Sequence, residues 1–429
     1  MTSRQKLAVA AAALFMLSLF LNAAGSQSIE WGIADEGAYE KLAGEIQRQG
    51  SFWEFPAYYL GGQFTETFRG PLYVWLLSPI HDGQGLNRGL ARAINTVLGA
   101  MAAVIVFLLV SRLWEPAIGL GAGVIAAVSN CTTLYGGIVA VEPLMMIGAL
   151  LAWYCCLKAL QDSNMEARHL VAALGLSAIA YYLKAHAFFF APALLLTGII
   201  TSRMAFLRKR SLWLGLILMV LLLSFNVVRN MRAFGKPFYS EASIELWLDD
   251  ASDSDEPGWQ KKYGPVQYFR THTPGQFAQR MVNGMILQIT TIAHDLLGPT
   301  RISNALGRVS MLIGSILFVA FLAGLAKEPN PRWLIFHLII VGMYALMFAL
   351  RSGTMDAMYA RWYLPLMGMF GAYSAIGLRD LWAGLGQRLP RARLRALRYV
   401  FLVGAVGYAL ITLRKIFTET GIAVWVVPD

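Results

Sequence analysis

Long apolar runs joined by short charged turns make up most of the chain, and two long polar stretches interrupt them. Runs of roughly 17–25 residues can cross the ~30 Å hydrocarbon layer as helices. Read this way, the sequence predicts about eleven transmembrane helices and an all-α polytopic membrane protein. The spans are Leu7–Ala24, Leu90–Leu113, Ile118–Leu134, Pro143–Leu160, Leu170–Leu183, Ala187–Thr201, Leu212–Val228, Leu306–Leu325, Trp333–Leu350, Tyr363–Leu378 and Tyr399–Leu413. The third, fifth and sixth are short or interrupted, so the count carries a margin of about one or two. The first run follows Arg4 and Lys6 and ends in small residues, as a cleavable signal peptide also would. An uncleaved helix is the preferred reading, because it tethers the acidic pair that follows it.

Charge sets the sidedness. Arg203, Arg208, Lys209 and Arg210 fall on one side, with Lys327, Arg332 and the cluster Arg379, Arg388, Arg391, Arg393, Arg395 and Arg398. Short basic loops of this kind belong in the cytoplasm. The two polar stretches, residues 25–89 and 229–305, then lie outside as loops of a single transmembrane domain over residues 1–429. Within them, Ala38–Gln49 and Phe277–Leu297 have the spacing of amphipathic helices, which lie along the headgroup plane or pack against the spans.

Composition agrees with the membrane class: 57% of the 429 residues are hydrophobic and 14% charged. The net charge of +11 follows from the positive-inside bias, so no nucleic-acid partner is needed to explain it. Cys131, Cys155 and Cys156 have no metal-ligand spacing and read as packing residues.

The candidate chemistry gathers at the outer ends of the spans. Asp35-Glu36-Gly-Ala-Tyr39 opens the first loop, and Phe68-Arg69-Gly70-Pro71-Leu72-Tyr73 closes on a rigid Gly-Pro. Glu142 precedes Pro143 at another outer turn, and Lys184, Arg229 and Arg361 sit at others. Carboxylates and arginines at the bilayer edge suit an anionic lipid headgroup, since a guanidinium fork matches two phosphate oxygens. Each also has a plainer reading. Single arginines snorkel or pair with carboxylates, and Glu36 and Glu142 suit helix starts.

The order of these motifs resembles that of the GT-C glycosyltransferases, in the polyprenyl-phosphate-sugar branch of protein O-mannosyltransferases and the lipid A aminoarabinose transferase. Tyr182-Leu-Lys184, Val228-Arg229-Asn230-Met-Arg-Ala-Phe-Gly235 and Ala360-Arg361-Trp362-Tyr-Leu-Pro365 match later parts of that pattern. Two features depart from it: no soluble domain follows the spans, and Arg69 is displaced by one position from a lysine of some relatives. The resemblance implies a GT-C-like bundle that transfers a sugar, with inversion, from a polyprenyl-phosphate-linked donor. It also implies an acceptor hydroxyl or phosphate on a lipid, glycan or protein, at the outer face of what is expected to be a bacterial inner membrane.

The chemistry needs a base for the acceptor hydroxyl and cations for the departing phosphate. Asp35 is the expected base and Glu142 a second acidic site residue. Arg69, Lys184, Arg229 and Arg361 are expected on the donor phosphate, with Glu36, Tyr39 and Tyr73 in the substrate cavity. The sequence names no cofactor, and Asp35 and Glu142 could hold a divalent cation. A transporter or flippase of lipid-linked sugars is the rival class, since charges within spans also mark transport paths.

Overall fold

The computed structural model describes residues 2–27, 35–161, 167–249, 253, 258–299, 304–351 and 358–388. The expected span Tyr399–Leu413, the basic residues Arg391 to Arg398 and parts of both polar stretches lie outside them. Among the described residues every regular element is helical, apart from two isolated bridges. Seven helices are long and apolar enough to cross a membrane: Ser3–Gly25, Arg88–Leu113, Glu142–Gln161, Ala185–Leu207, Arg210–Phe234, Arg308–Leu325 and Pro331–Arg351. Shorter apolar helices accompany them at Pro71–Ile80, Pro116–Val128 and Ala167–Tyr181. The protein is therefore an integral membrane bundle, with seven helices of spanning length among the described residues, which leaves the expected count of about eleven untested.

In chain order the α-helices that matter for the site are α1 (Ser3–Gln27), α2 (Glu36–Arg48), α3 (Phe55–Leu60), α4 (Pro71–Leu77), α5 (Arg88–Leu113), α6 (Pro116–Val128) and α7 (Asn130–Gly137). After them come α8 (Glu142–Gln161), α9 (Ala167–Tyr181), α10 (Phe190–Leu207), α11 (Arg210–Phe234) and α12 (Glu241–Glu245). The last are α13 (Trp259–Lys262), α14 (Pro265–Thr271), α15 (Pro274–Thr291), α16 (Asn304–Leu325), α17 (Pro331–Arg351) and α18 (Met367–Arg388).

Small residues set how closely the spans approach. A Cβ built on Gly377 would stand 1.9 Å from the Ala320 carbonyl oxygen, and one on Gly324 would stand 2.1 Å from that of Tyr373. Glycine at both positions lets α16 and α18 touch backbone to backbone, the usual route to tight packing where no water drives helices together. α1 packs on α5, α6 and α7, while α8, α9 and α11 form a second row.

The expected third span, Ile118–Leu134, is broken. Ser129 leaves the helical region at ψ 131° and caps α7, its hydroxyl accepting from the Thr132 amide. One apolar run thus becomes two short helices. Both outer amphipathic helices are present as α2 and α15, although the second ends earlier than expected and passes into a π-helical turn at Ile292–Leu296. α2 buries Tyr39, Leu42, Ala43 and Ile46, the face its spacing marks out. α15 packs against α17. There Arg280 donates to the Leu350, Leu246 and Leu248 carbonyls and to Asp249, fastening the second loop to the bundle.

Candidate active site

The helix ends of one side converge on a cavity of about 530 Å³. Its centre is a chain of charges. Asp35 occupies the N-cap position of α2, yet its carboxylate makes no capping bond. Instead Oδ1 accepts from Arg69 Nη2 at 2.7 Å and Oδ2 from Arg361 Nη1 at 2.7 Å. Arg361 Nη1 also lies 3.9 Å from Glu142 Oε1, which accepts from Lys184 Nζ at 2.6 Å. Two carboxylates and three cations are thus linked end to end, and they come from five separate segments of the chain.

Local sequence explains how they meet. Gly70 lets the loop before α4 press onto the chain after α9: a Cβ there would lie 2.2 Å from the Tyr182 carbonyl oxygen. Leu72 N–H donates to that same oxygen at 3.2 Å. Arg69 is therefore delivered beside Lys184, which stands in extended backbone between α9 and the next helical turn. Glu66 receives the amides of Phe68 and Arg69 and fixes the turn that carries the guanidinium. Arg361 projects from a 3-10 segment, Met358–Leu366, whose internal Pro365 cannot donate to an α-helical ladder.

Electrostatics follow from this packing. Burial would raise the Asp35 carboxyl, but the charges of Arg361, Lys184 and Arg69, with the Arg69 hydrogen bond, outweigh it and hold the pKa at about 2. Burial lowers the Lys184 ammonium more than Glu142 raises it. Both clamp arginines keep unused capacity: the Nε groups of Arg69 and Arg361 are buried and make no hydrogen bond, as does Glu142 Oε2.

The other expected site residues divide. Tyr39 lines the cavity, with the Arg69 guanidinium 5.9 Å above its ring. Arg229 also lines it, but its donors go to the carbonyls of Phe64 and Glu66 and to Asn230 Oδ1, so it ties α11 to the first loop. Glu36 and Tyr73 do not line the cavity. Glu36 is fully buried and takes Arg92 Nε at 3.0 Å, Arg92 Nη2 at 2.8 Å and the Val139 amide at 2.8 Å. Tyr73 donates to Asn95 Oδ1 at 2.8 Å. Glu142 stands behind the cavity wall, reached through Lys184 and Arg361.

The sequence reading missed three charged cavity residues, Glu66, Glu245 and Arg351. Glu66 lies among ordinary loop residues, and Glu245 and Arg351 are separated by more than a hundred positions before they pair. Only the place of Arg351, ending a span on the same side as Arg361, marked it beforehand.

Comparison with known proteins bears on the fold. A family model described as dolichyl-phosphate-mannose-protein mannosyltransferase matches residues 69–228. No curated protein matches the sequence. The crystal structure of ArnT from Cupriavidus metallidurans bound to undecaprenyl phosphate is similar at a TM-score of 0.56 and 12% identity, over 96% of this chain and 65% of that one. The Archaeoglobus fulgidus oligosaccharyltransferase in complex with Zn and sulfate is similar at 0.52 and 15%, over 91% of this chain and 51% of that one. The chain therefore has the GT-C glycosyltransferase fold. It spans about two thirds and one half of these two proteins.

Proposed function

We propose that the protein transfers a sugar from a polyprenyl-phosphate donor to an acceptor hydroxyl at the non-cytoplasmic face of the membrane. The observation that carries this reading is the pair of guanidiniums, Arg69 and Arg361, that converge on one carboxylate with their Nε groups unused. Such a pair has the charge and the donors for a phosphate. Beside the cavity lies a wholly apolar groove of about 270 Å³, which shares Tyr59 and Pro71 with it. Phosphate in the cavity and prenyl tail in the groove suit one amphiphilic ligand.

The steps follow from the charges. Donor phosphate takes the guanidiniums from Asp35, which removes the cations that keep the carboxylate a weak base. Asp35 then accepts the proton of the acceptor hydroxyl as its oxygen bonds to the anomeric carbon. The bond from that carbon to the phosphate oxygen breaks, and its electron pair leaves with polyprenyl phosphate, held by Arg69 and Arg361. Attack opposite the leaving phosphate inverts the centre. Lys184 and Glu142 brace Arg361 from behind.

Asp35 and Glu142 are the carboxylates expected for a divalent ion, but both are engaged by Arg69, Arg361 and Lys184. Among the described residues no three His, Cys, Asp or Glu side chains group as a metal site. We assign the counter-charge of the phosphate to those three cations. Nothing in the fold or the comparisons favours the flippase reading. The test is to incubate the purified protein with a panel of polyprenyl-phosphate sugars and measure released polyprenyl phosphate. Release that needs an acceptor and is lost in Asp35→Asn supports the reading, and movement of intact donor across vesicles without release overturns it.

A further inference from the structure

The roof of the cavity carries another carboxylate, to which the reaction above gives no task. Glu245 ends α12 in the second loop, and its side chain is 8% exposed. Its Oε1 accepts from Arg351 Nη2 at 2.5 Å, and the Arg351 guanidinium lies 4.4 Å from the Trp362 ring centroid. Trp362 is the neighbour of Arg361. The other oxygen, Oε2, is buried without a hydrogen-bond partner, and Glu245 lines the same cavity as Asp35. A buried acceptor left unpaired is costly, and natural sites keep one where a ligand completes it.

The surroundings narrow the ligand. Phosphate is excluded by its sign. An ammonium would meet Arg351, whose charge already balances this carboxylate, with further arginines beyond it. A neutral hydroxyl adds a donor and no charge. Burial raises the Glu245 carboxyl, while Arg351, Arg361 and Arg69 all oppose that rise. Glu245 is thus within electrostatic reach of both clamp arginines. The group attached directly to a phosphate held there is the sugar ring.

We propose that Glu245, positioned by Arg351, accepts a hydrogen bond from a ring hydroxyl of the transferred sugar and selects a neutral, hydroxyl-bearing sugar over an amino sugar. This rests on the donor reading above. The test measures kcat/KM with the best polyprenyl-phosphate hexose, each of its monodeoxy analogues and a matching amino-sugar donor. Wild type is compared with Glu245→Ala and with Glu245→Leu, which keeps the bulk without an acceptor, and thermal stability is followed in parallel.

One monodeoxy donor should lose roughly 10–100-fold in wild type, the worth of a hydrogen bond to a charged group. In Glu245→Ala the same donor should lose little, because the partner is already gone. The Leu variant, which keeps the bulk and has no acceptor, serves if Ala does not fold. Equal deoxy losses in wild type and variant make Glu245 a structural partner of Arg351 and overturn the proposal. So does a wild-type preference for the amino sugar that disappears in the variant. A wild type that releases no lipid phosphate from any donor instead removes the donor reading itself, and this inference with it.

Discussion

Replacing Asp35 with Asn separates catalysis from binding in a way that only the clamp geometry predicts. The carboxylate holds two guanidiniums at 2.7 Å each, and its pKa falls from 3.8 to about 2. That depression corresponds to about 2 kcal/mol of stabilisation of the ionised form. Asp35→Asn should therefore cost about 2 kcal/mol of stability and lower turnover by roughly 10²–10⁴, the usual share of a general base. Phosphate affinity should move the other way. On the proposed reading the lipid phosphate displaces the carboxylate from both arginines in wild type, and in the Asn variant it meets no charged competitor. Removing that ~2 kcal/mol opposition strengthens polyprenyl phosphate binding by up to roughly 30-fold. The assay pairs turnover with binding of labelled polyprenyl phosphate to protein in nanodiscs. A folded variant that binds the lipid phosphate more weakly than wild type refutes the clamp. Near-normal turnover moves the base elsewhere.

Four further outcomes are expected. Because the folded-state pKa of Asp35 lies below its unfolded value of 3.8, its stabilisation is complete above about pH 4 and is lost as pH falls towards 2; melting curves of wild type should show this acid loss, and those of Asp35→Asn should lack that part of it. Arg69→Lys and Arg361→Lys keep charge but lose the fork, and in a double-mutant cycle on donor affinity they should couple by roughly 0.5–3 kcal/mol; strict additivity would mean they share no ligand. Glu36→Gln takes a fully buried carboxylate away from the Arg92 guanidinium, so it should cost roughly 3–5 kcal/mol while kcat of the folded fraction stays near wild type; a selective fall in kcat would bring Glu36 back into the chemistry. A cysteine replacing Phe238, which is 83% exposed in the second loop, should react with an impermeant thiol reagent in intact cells, and labelling only after lysis would invert the topology.

The parts of the fold written as length and polarity were legible. Full-length spans such as α5, α8, α11 and α17 follow directly from apolar runs of membrane thickness. The break at Ser129 did not follow, because an apolar count cannot register one serine that turns to cap the next helix. Residues 363–378, expected as one span, fall partly in the 3-10 segment around Pro365 and partly in α18. A proline inside an apolar run marked that change, and residue counting passed over it.

For the site, position at a span end proved the informative property, more than residue type. Asp35, Arg69, Glu142 and Lys184 lie at or beside helix ends and Arg361 in the 3-10 segment before α18, and helix packing brings them together. What sequence position could not reveal is which charge answers which. Glu36 is adjacent to Asp35, yet it turns inward to Arg92 in the first turns of α5, one residue along a helix being enough to change the face. Arg92 falls inside an apolar run, and an arginine there reads as a snorkelling residue until a buried carboxylate is seen beside it. The adjacent acids thus divide the work, with Glu36 locking the loop to the bundle so that Asp35, its own capping role unused, stays aimed at the two arginines. A residue that forgoes the local bond its position offers needs another partner of at least equal worth. Here that partner is a pair of cations, and a pair of cations is what a lipid phosphate can take.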